Sequence, residues 1–402
     1  MSLTIKKSIA KGSLVVPPSK SYAHRLLIAG ALSNGITNIE NVELSQDILA
    51  TLNNLKYFNK DINFLNKVVT INPSEKVFKE PVFDCLESGS TLRFLIPLAL
   101  SKYPSCRFIG SKRLIERGIG PYLDICKKQN INVVIKENEM IFEGYLKADH
   151  FTLPGNISSQ FISGLLFVAP LLKEDSIIEV TTPLESKNYI DITLDVLNRF
   201  GIKVDVYENK YFIKGNQQYI SRNDLVEGDY SNSAFIDALN YLGGNVELIG
   251  LNKNSLQGDK AYIELFKKLD NGFCEIDISN CIDLGPILFC MASLKHGARF
   301  IKTNRLKIKE SDRIQDLKSE LLKFGVKVIE QEDIVVIDNS NLHEPRDILD
   351  GKNDHRIVMA LSVMLTKFGG TIQGVTAVNK SYPNFFNDLK KINIEVIEND
   401  QY

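Results

Sequence analysis

The sequence predicts an α/β protein of two lobes, built from six repeated β/α units with three units in each lobe. The chain has 402 residues, which is more than one compact core usually holds and suits two domains. Apolar residues make up 44% and charged residues 24%, as in ordinary globular proteins. Two kinds of segment alternate six times along the chain, which gives about 67 residues per unit.

The first kind of segment predicts a buried helix. It opens with small polar or charged residues and continues as an apolar run, and a helix that is apolar on nearly every side must be buried. These segments begin at Ser19, Glu87, Ser158, Gly228, Asp283 and Asp354.

The second kind predicts an amphipathic helix that runs into a β-branched strand. These segments begin at Asp47, Pro121, Tyr189, Ala261, Arg313 and Asn384. Each unit is therefore expected to contain a buried helix, strands, an amphipathic helix and another strand. The two groups of three units are expected to meet near residues 227–229.

Composition excludes several classes of function. The 48 Lys and Arg against 49 Asp and Glu leave no positive field for a nucleic-acid backbone, so any anion is held locally. The first residues lack the apolar stretch of a signal peptide, and no long uncharged apolar run suggests a membrane span. The six Cys form no C-x-x-C pair, which predicts reduced packing residues and a cytoplasmic protein without a zinc site.

Cations stand at the openings of the predicted buried helices, where helix amino ends also favour anions. They are Lys20, Arg25, Arg93 and Arg356. Further cations lie in short polar clusters that contain Arg117, residues 307–313 and Lys380. These residues predict a site for phosphate and carboxylate groups, whereas ordinary N-capping and solvated helix ends are the alternatives.

Candidates for proton transfer are carboxylates and one histidine near these clusters: Asp47, Asp283, Glu310, Asp354 and His355. A structural ion pair is the alternative for Glu310, which lies among cations. A capping or core role is the alternative for His355. No Ser-His-Asp spacing, glycine-rich nucleotide loop or H-E-x-x-H motif is present.

Eight motifs, in order along nearly the whole chain, resemble those of the 5-enolpyruvylshikimate-3-phosphate (EPSP) synthase family. They are VPPSKSYAHR, ESGSTLR, ISSQF, SKNYIDIT, LVEGDYSNSAF, KIKESDRI, DHR and NKSYP. The resemblance implies the two-lobed enolpyruvyl transferase fold, with buried-helix amino ends facing an interdomain cleft. It also implies enolpyruvyl transfer from phosphoenolpyruvate to the 5-hydroxyl of shikimate 3-phosphate by addition and elimination, on the route to chorismate and aromatic amino acids.

The resemblance also implies which lobe carries which site residues. Residues 20–227 would hold most of the shikimate 3-phosphate site. Residues 1–19 with 228–402 would hold the acid/base residues and part of the phosphoenolpyruvate site. No cofactor or metal is implied, and the expected partners are the two substrates alone, with no nucleic acid and no membrane. The resemblance further implies a cytoplasmic monomer that is a glyphosate target.

Individual roles follow from the matching motif positions. The implied catalytic residues are Asp283, Glu310, Lys20 and Lys309. Shikimate 3-phosphate would be bound by Lys20, Ser21, Arg25, Ser158, Ser159, Gln160, Ser186, Tyr189, Asp283 and Lys309. Phosphoenolpyruvate would be bound by Lys20, Gly89, Arg117, Gln160, Arg313, Arg356 and Lys380. His355 would support Glu310 without touching substrate.

Three positions depart from the usual family pattern, and two other functions stay open. Glu87, Gly118 and Asn384 stand where family members more often carry Asn, Pro and Asp. One alternative is a UDP-N-acetylglucosamine enolpyruvyl transferase, although residues 107–116 lack the reactive Cys of that family. The other is a non-catalytic or RNA-end-processing relative, which the neutral charge and the intact acid/base set disfavour.

Overall fold

The computed structural model describes residues 1–399 and divides the chain into two compact units. The continuous unit comprises Pro18–Glu227. The discontinuous unit comprises Met1–Pro17 and the chain from Gly228 onward. Each unit has its own hydrophobic core of buried helix and strand residues.

The α-helices account for both kinds of predicted segment. In chain order they are α1 (Lys20–Leu32), α2 (Gln46–Leu55), α3 (Gly89–Lys102), α4 (Lys112–Glu116), α5 (Gly120–Lys128), α6 (Ser159–Val168), α7 (Lys187–Arg199), α8 (Tyr230–Asn240), α9 (Tyr262–Asn271), α10 (Gly285–Leu294), α11 (Arg313–Leu322), α12 (His355–Phe368) and α13 (Phe385–Lys391). Helices α1, α3, α6, α8, α10 and α12 are the predicted buried helices. Each of the twelve predicted helices begins within two residues of its expected position; the short helix α4 was not expected.

The strands form small sheets. In chain order they are β1 (Ser2–Ile5), β2 (Lys11–Val15), β3 (Thr37–Glu40), β4 (Lys60–Leu65), β5 (Val68–Pro73), β6 (Val82–Asp84), β7 (Ser105–Ile109), β8 (Asn132–Ile135), β9 (Glu139–Glu143), β10 (His150–Leu153), β11 (Ser176–Val180), β12 (Val204–Tyr207), β13 (Lys210–Ile213), β14 (Asp224–Leu225), β15 (Asn245–Ile249), β16 (Cys274–Asp277), β17 (Ala298–Ile301), β18 (Lys327–Gln331), β19 (Ile334–Asp338), β20 (Leu349–Asp350), β21 (Gly370–Gln373) and β22 (Val396–Glu398).

Five four-stranded sheets share one topology, which confirms the repeat. Their strand orders are β14-β3-β5-β4, β6-β7-β9-β8, β10-β11-β13-β12, β16-β17-β19-β18 and β20-β21-β1-β22. In each, the first two strands are parallel and the remaining pairs are antiparallel. The sixth sheet pairs β15 with β2 in parallel. The amino-terminal strands β1 and β2 thus complete two sheets of the discontinuous unit.

The expectation of one strand after each amphipathic helix was wrong for most units, because a hairpin follows instead. In the first unit, β4 and β5 pair antiparallel with Leu65 opposite Val68. Asn66 and Lys67 form the turn with φ angles of 50° and 62°. Such two-residue turns need positive φ at both positions, for which Asn-Gly is the usual signal. Lys in the second position hid the turn in the sequence.

Close helix packing fixes the amino ends of α3 and α6 beside each other. A Cβ atom on Gly164 of α6 would lie 2.4 Å from the carbonyl oxygen of Arg93 in α3, so only glycine permits this approach. Among the helices of residues 1–399, none has the length and apolar content to cross a membrane.

Candidate active site

The amino end of α1 carries the first predicted site residues of the continuous unit. Ser19 caps the helix by accepting a hydrogen bond from the Tyr22 amide. Lys20, the first helical residue, lies with its Nζ 2.7 Å from Asp47 Oδ2 at the start of α2. The two side chains are 17% and 13% exposed, so this ion pair is reachable from solvent.

Arg25, one and a half turns along α1, is a buried cation held by neutral oxygens. Its Nε donates to Thr193 Oγ1 at 2.7 Å, and its terminal nitrogens donate to the carbonyls of Ser21 at 2.8 Å and Tyr189 at 3.0 Å. The guanidinium also packs 5.0 Å from the Phe94 ring centre. Within residues 1–399, no carboxylate forms an ion pair with it. Burial lowers the pKa of Arg25 to about 10.

A chain of buried polar side chains joins α1 and α2 to the first turn of α3. His24 Nδ1 lies 2.8 Å from Thr51 Oγ1, which lies 2.7 Å from Thr91 Oγ1. Thr91 in turn donates to Ser88 Oγ, the N-cap of α3, at 2.7 Å. Burial lowers the pKa of His24, so the imidazole is neutral. These contacts fix α1, α2 and α3 against one another.

Two arginines converge on Gly89, the first residue of α3. A Cβ atom there would lie 3.1 and 3.2 Å from the two terminal nitrogens of Arg117 and 3.2 Å from one of Arg93. Arg93 donates to Gln160 Oε1 at 2.7 Å, and Gln160 Nε2 donates to Ser90 Oγ at 2.9 Å. The structure therefore brings Gly89, Arg117 and Gln160 together, as predicted from the sequence, and adds Arg93 as the residue between them.

The remaining predicted residues of this unit begin two further helices. Ser158 caps α6 by accepting from the Gln160 amide at 3.3 Å, and Ser159 is the first helical residue. Ser186 precedes α7 in the left-handed conformation, with φ of 55°. Tyr189 lies in the first turn of α7 and holds Arg25 through its backbone carbonyl. The predicted residues of this unit thus all belong to helix amino ends or to the turn that carries Arg117.

In the discontinuous unit, three carboxylates surround one arginine. Arg313 begins α11 and is fully buried. It donates to Asp283 at 3.0 Å, to Glu310 at 2.7 Å and to the two oxygens of Asp354 at 2.8 and 3.3 Å. The two predicted acid/base residues are therefore held by opposite ends of the same guanidinium. Four of its five N–H groups are used, which leaves one for another acceptor.

Asp283 is the most strongly paired carboxylate of this unit. Besides Arg313, it lies 3.1 Å from Lys309 Nζ and 3.4 Å from a terminal nitrogen of Arg356. Burial alone would raise the pKa of Asp283, but Arg356, Lys309 and Arg313 hold it well below its usual range. Burial lowers the pKa of Lys309 to about 8 despite the opposing charge of Asp283. The pair therefore combines an ionised carboxylate with an ammonium that can lose its proton near neutral pH.

The amino end of α12 supplies the remaining predicted groups. Asp354 caps the helix by accepting from the Arg356 amide at 2.9 Å, and His355 beside it is buried. The Arg356 guanidinium donates to Ser231 Oγ at 2.6 Å. Lys380 Nζ donates to the carbonyl of Asn353 at 2.5 Å, just before the cap.

Comparison with known proteins identifies the family of this chain. A sequence model described as EPSP synthase (3-phosphoshikimate 1-carboxyvinyltransferase) matches residues 5–389. The chain belongs to this family. Proteins named 3-phosphoshikimate 1-carboxyvinyltransferase from Clostridium kluyveri and Clostridium botulinum are 39% and 41% identical, over 98% and 95% of this chain and the same shares of their own lengths. The sequence-based assignment to an enzyme of the EPSP synthase family is confirmed.

Solved structures confirm the fold class. EPSP synthase from Acinetobacter baumannii superposes with a TM-score of 0.79 at 21% identity, over all of both chains. The enolpyruvyl transferase NikO from Streptomyces tendae gives 0.77 at 10% identity, over 100% of this chain and 99% of its own. At these identities the likeness concerns the fold alone. The choice of the EPSP synthase family over the UDP-N-acetylglucosamine transferases rests on the family match and the relatives.

Sequence reasoning missed two polar residues that this EPSP synthase family member places beside Asp283 and Arg356. Burial and the charge of Asp283 raise the pKa of Asp259 to about 6. Ser231 joins the group through its hydrogen bond to Arg356. Ser231 lies in LVEGDYSNSAF, one of the eight motifs that carry the family resemblance, whereas Asp259 lies in a short 3-10 helix (Gly258–Ala261) with no helix-opening pattern to mark it.

Proposed function

We propose that this chain transfers the enolpyruvyl group of phosphoenolpyruvate to the 5-hydroxyl of shikimate 3-phosphate and releases inorganic phosphate. The observation that carries the proposal is Arg25, a buried guanidinium whose charge no carboxylate of residues 1–399 balances. An unbalanced buried charge is costly, so a bound dianion supplies what the chain does not. The family match from residue 5 to 389 supports the choice of substrates.

In this proposal, the helix amino ends of the continuous unit bind the two phosphorylated substrates. The phosphate and ring of shikimate 3-phosphate engage Lys20, Ser21, Arg25, Ser158, Ser159, Gln160, Ser186 and Tyr189. Phosphoenolpyruvate engages Lys20, Gly89, Arg117 and Gln160, together with Arg313, Arg356 and Lys380 of the discontinuous unit. Because Gly89 has no side chain, an anion can approach the two guanidinium groups beside it.

The acid/base work is assigned to the carboxylates around Arg313. The 5-hydroxyl oxygen attacks C2 of phosphoenolpyruvate while Asp283 accepts the hydroxyl proton and Glu310, protonated at this stage, gives a proton to the methylene carbon. In the second step, Glu310 takes a proton back from the new methyl group as the C–O bond to phosphate breaks. Lys309, 3.1 Å from Asp283, keeps its ammonium charge beside this carboxylate below its pKa of about 8. Fixed cations neutralise the departing phosphate.

A phosphate-release assay tests the proposal directly. The full chain is incubated with phosphoenolpyruvate and either shikimate 3-phosphate or UDP-N-acetylglucosamine as acceptor. Phosphate release with shikimate 3-phosphate alone is expected. Phosphate release with UDP-N-acetylglucosamine would contradict the proposal. So would the absence of phosphate release with both acceptors. Asp283→Asn should lower turnover about 10²–10⁴-fold while shikimate 3-phosphate still binds, since the Arg25 group is unchanged.

We also propose that the enzyme works as a cytoplasmic monomer. Five of its six free cysteines are buried, which suits a protein kept in a reducing compartment. Size-exclusion chromatography with light scattering should give a mass near 45.2 kDa. A mass of twice that value would refute the monomer.

A further inference from the structure

We propose that the continuous unit has a second anion site, at the carboxyl ends of α1, α3 and α6, which binds a small carboxylate with an apolar body. A cavity of about 990 Å³ opens there, separate from the amino ends of the same helices. Its wall combines apolar and cationic side chains, among them Leu32, Phe58, Lys60, Leu98, Lys102 and Leu171. At about 1.5 Å per residue, the 13 residues of α1 set the two ends about 20 Å apart.

Lys60 is the strongest reason to expect an anion in this cavity. Its side chain is buried, with the residue only 6% exposed, and its Nζ donates to the carbonyl of Ser33 at 2.5 Å. Within residues 1–399 it forms no ion pair with a carboxylate. An ammonium has three donors, so two remain beyond the Ser33 bond. Burying such a cation without a counter-charge is unfavourable, and an anion in the cavity would relieve that cost.

Lys102 reinforces this positive wall. It ends α3 and donates to the carbonyl of Tyr57 at 2.9 Å and to the side-chain oxygen of Asn59. It too forms no ion pair with any described carboxylate. Lys147 and Lys173 also line the cavity, against a single acidic side chain, Glu174. The wall therefore carries a clear excess of positive charge.

Lysines at helix carboxyl ends have an ordinary explanation, because they interact favourably with the helix dipole. The discontinuous unit offers a comparison, because two of the three lysines that line its corresponding cavity have carboxylate partners. A smaller cavity of about 530 Å³ lies at the carboxyl ends of α8, α10 and α12. There Lys295 pairs with Asp270 at 2.5 Å, and Lys7 pairs with Glu344. Lys60 and Lys102 of the continuous unit have carbonyl partners but form no ion pair with a carboxylate of residues 1–399.

The lining decides the class of ligand. Lysine ammonium groups bind carboxylates or phosphates as point charges without demanding a planar fork. Leucine and phenylalanine side chains gain stability when an apolar group displaces water from them. A carboxylate on an aromatic or branched aliphatic body satisfies both parts of the wall, whereas an inorganic anion would use only the lysines.

Fluorine NMR with 4-fluorobenzoate tests this site on the full chain. Spectra are recorded with saturating shikimate 3-phosphate, which removes any probe bound at the helix amino ends. We expect saturable binding of 4-fluorobenzoate and at least about tenfold weaker binding of the neutral 4-fluorobenzamide. Inorganic phosphate at equal concentration should not displace the probe. Equal binding of the amide, full displacement by phosphate, or loss of all binding on adding shikimate 3-phosphate would overturn the proposal.

Matched variants locate the probe. Lys102→Gln should weaken 4-fluorobenzoate binding about tenfold or more, while Lys102→Arg, which keeps the charge, should stay within about threefold of the unmodified chain. Lys173 is an exposed residue that also lines the cavity, so Lys173→Gln should weaken 4-fluorobenzoate binding as well. Lys367→Gln removes an exposed lysine at the corresponding end of the discontinuous unit and should change nothing. An unchanged affinity in both Lys102→Gln and Lys173→Gln would overturn the assignment.

Discussion

Replacing Arg313 by methionine should destabilise the chain far more than the same change at a surface arginine. The Arg313 guanidinium is fully buried and bonded to Asp283, Glu310 and Asp354. Methionine has a similar length but no charge, so Arg313→Met removes the bonds without leaving a large void. The three carboxylates would then lose a shared counter-ion in a site that water reaches poorly.

The size of the stability loss in Arg313→Met depends on which other partners the carboxylates retain. Asp283 retains Lys309 and Arg356, and Asp354 retains the amide of Arg356 at the start of α12. The loss is therefore that of one buried partner rather than three, about 3–5 kcal/mol of unfolding free energy. For a unit of roughly 190 residues this corresponds to a drop in Tm of about 6–20 °C.

Scanning calorimetry of the unmodified chain, Arg313→Met and a matched control measures this difference. The control is Arg299→Met in the same unit, where Arg299 pairs with Glu275 and the two side chains are 41% and 49% exposed. Exposed pairs contribute about 0–1 kcal/mol, so the control should melt within a few degrees of the unmodified chain. Equal effects of the two substitutions would refute the reasoning.

The pH dependence of the folding stability is an independent test of the ion pairs around Arg313. Because the folded chain holds the pKa of Asp283 below its usual value, this ion pairing stabilises the fold above about pH 4 and is lost as the pH falls through the lowered pKa. The unmodified chain should therefore lose more stability than Arg313→Met on acidification. The gap between their Tm values should narrow below about pH 4, and a widening gap would contradict the assignment.

Three further predictions concern single positions. Gly89→Ala should raise the KM for phosphoenolpyruvate about tenfold or more. The Tm should change little, because the new Cβ meets only the movable side-chain ends of Arg117 and Arg93. An unchanged KM in steady-state assays would count against the site. Gly164→Ala should lower the free energy of unfolding by about 1–3 kcal/mol or more, measured by urea unfolding. Gly120→Ala, with open space at its Cβ, should leave the stability unchanged or raise it. Similar urea midpoints for the two variants would refute the close-packing argument. The value of kcat/KM should fall as pH rises through about 8, where Lys309 loses its charge, and this fall should be absent in Lys309→Arg; an identical alkaline limb in both would exclude Lys309.

The sequence predicted the helices well because their signals are local. Ser19, Ser158 and Asp354 each stand one residue before a helix and accept a hydrogen bond from its first turn. A capping residue followed by an apolar run needs no knowledge of distant residues. The same locality explains why the sequence could place the candidate site residues at helix amino ends.

The strands were predicted less well because their partners are distant. Strand β1 lies between β21 and β22, more than 360 residues away, and no local pattern marks that pairing. The left-handed turn at Asn66 and Lys67 also hid a hairpin. Local propensity cannot distinguish one strand from two when the turn lacks glycine.

The number of carboxylates that the fold brings to each arginine could not be predicted from the sequence. Arg25 and Arg313 both lie near helix starts within polar motifs, and the resemblance gives both to substrates. Yet Arg313 collects three carboxylates from positions 3, 30 and 41 residues away, while Arg25 collects none of those in residues 1–399. Arg313 therefore holds three carboxylates in place and keeps one N–H group for the phosphoenolpyruvate proposed above. A buried cation that the chain leaves unbalanced, such as Arg25, is the stronger candidate for a ligand anion. The same criterion selects Lys60 in the cavity at the carboxyl ends of α1, α3 and α6.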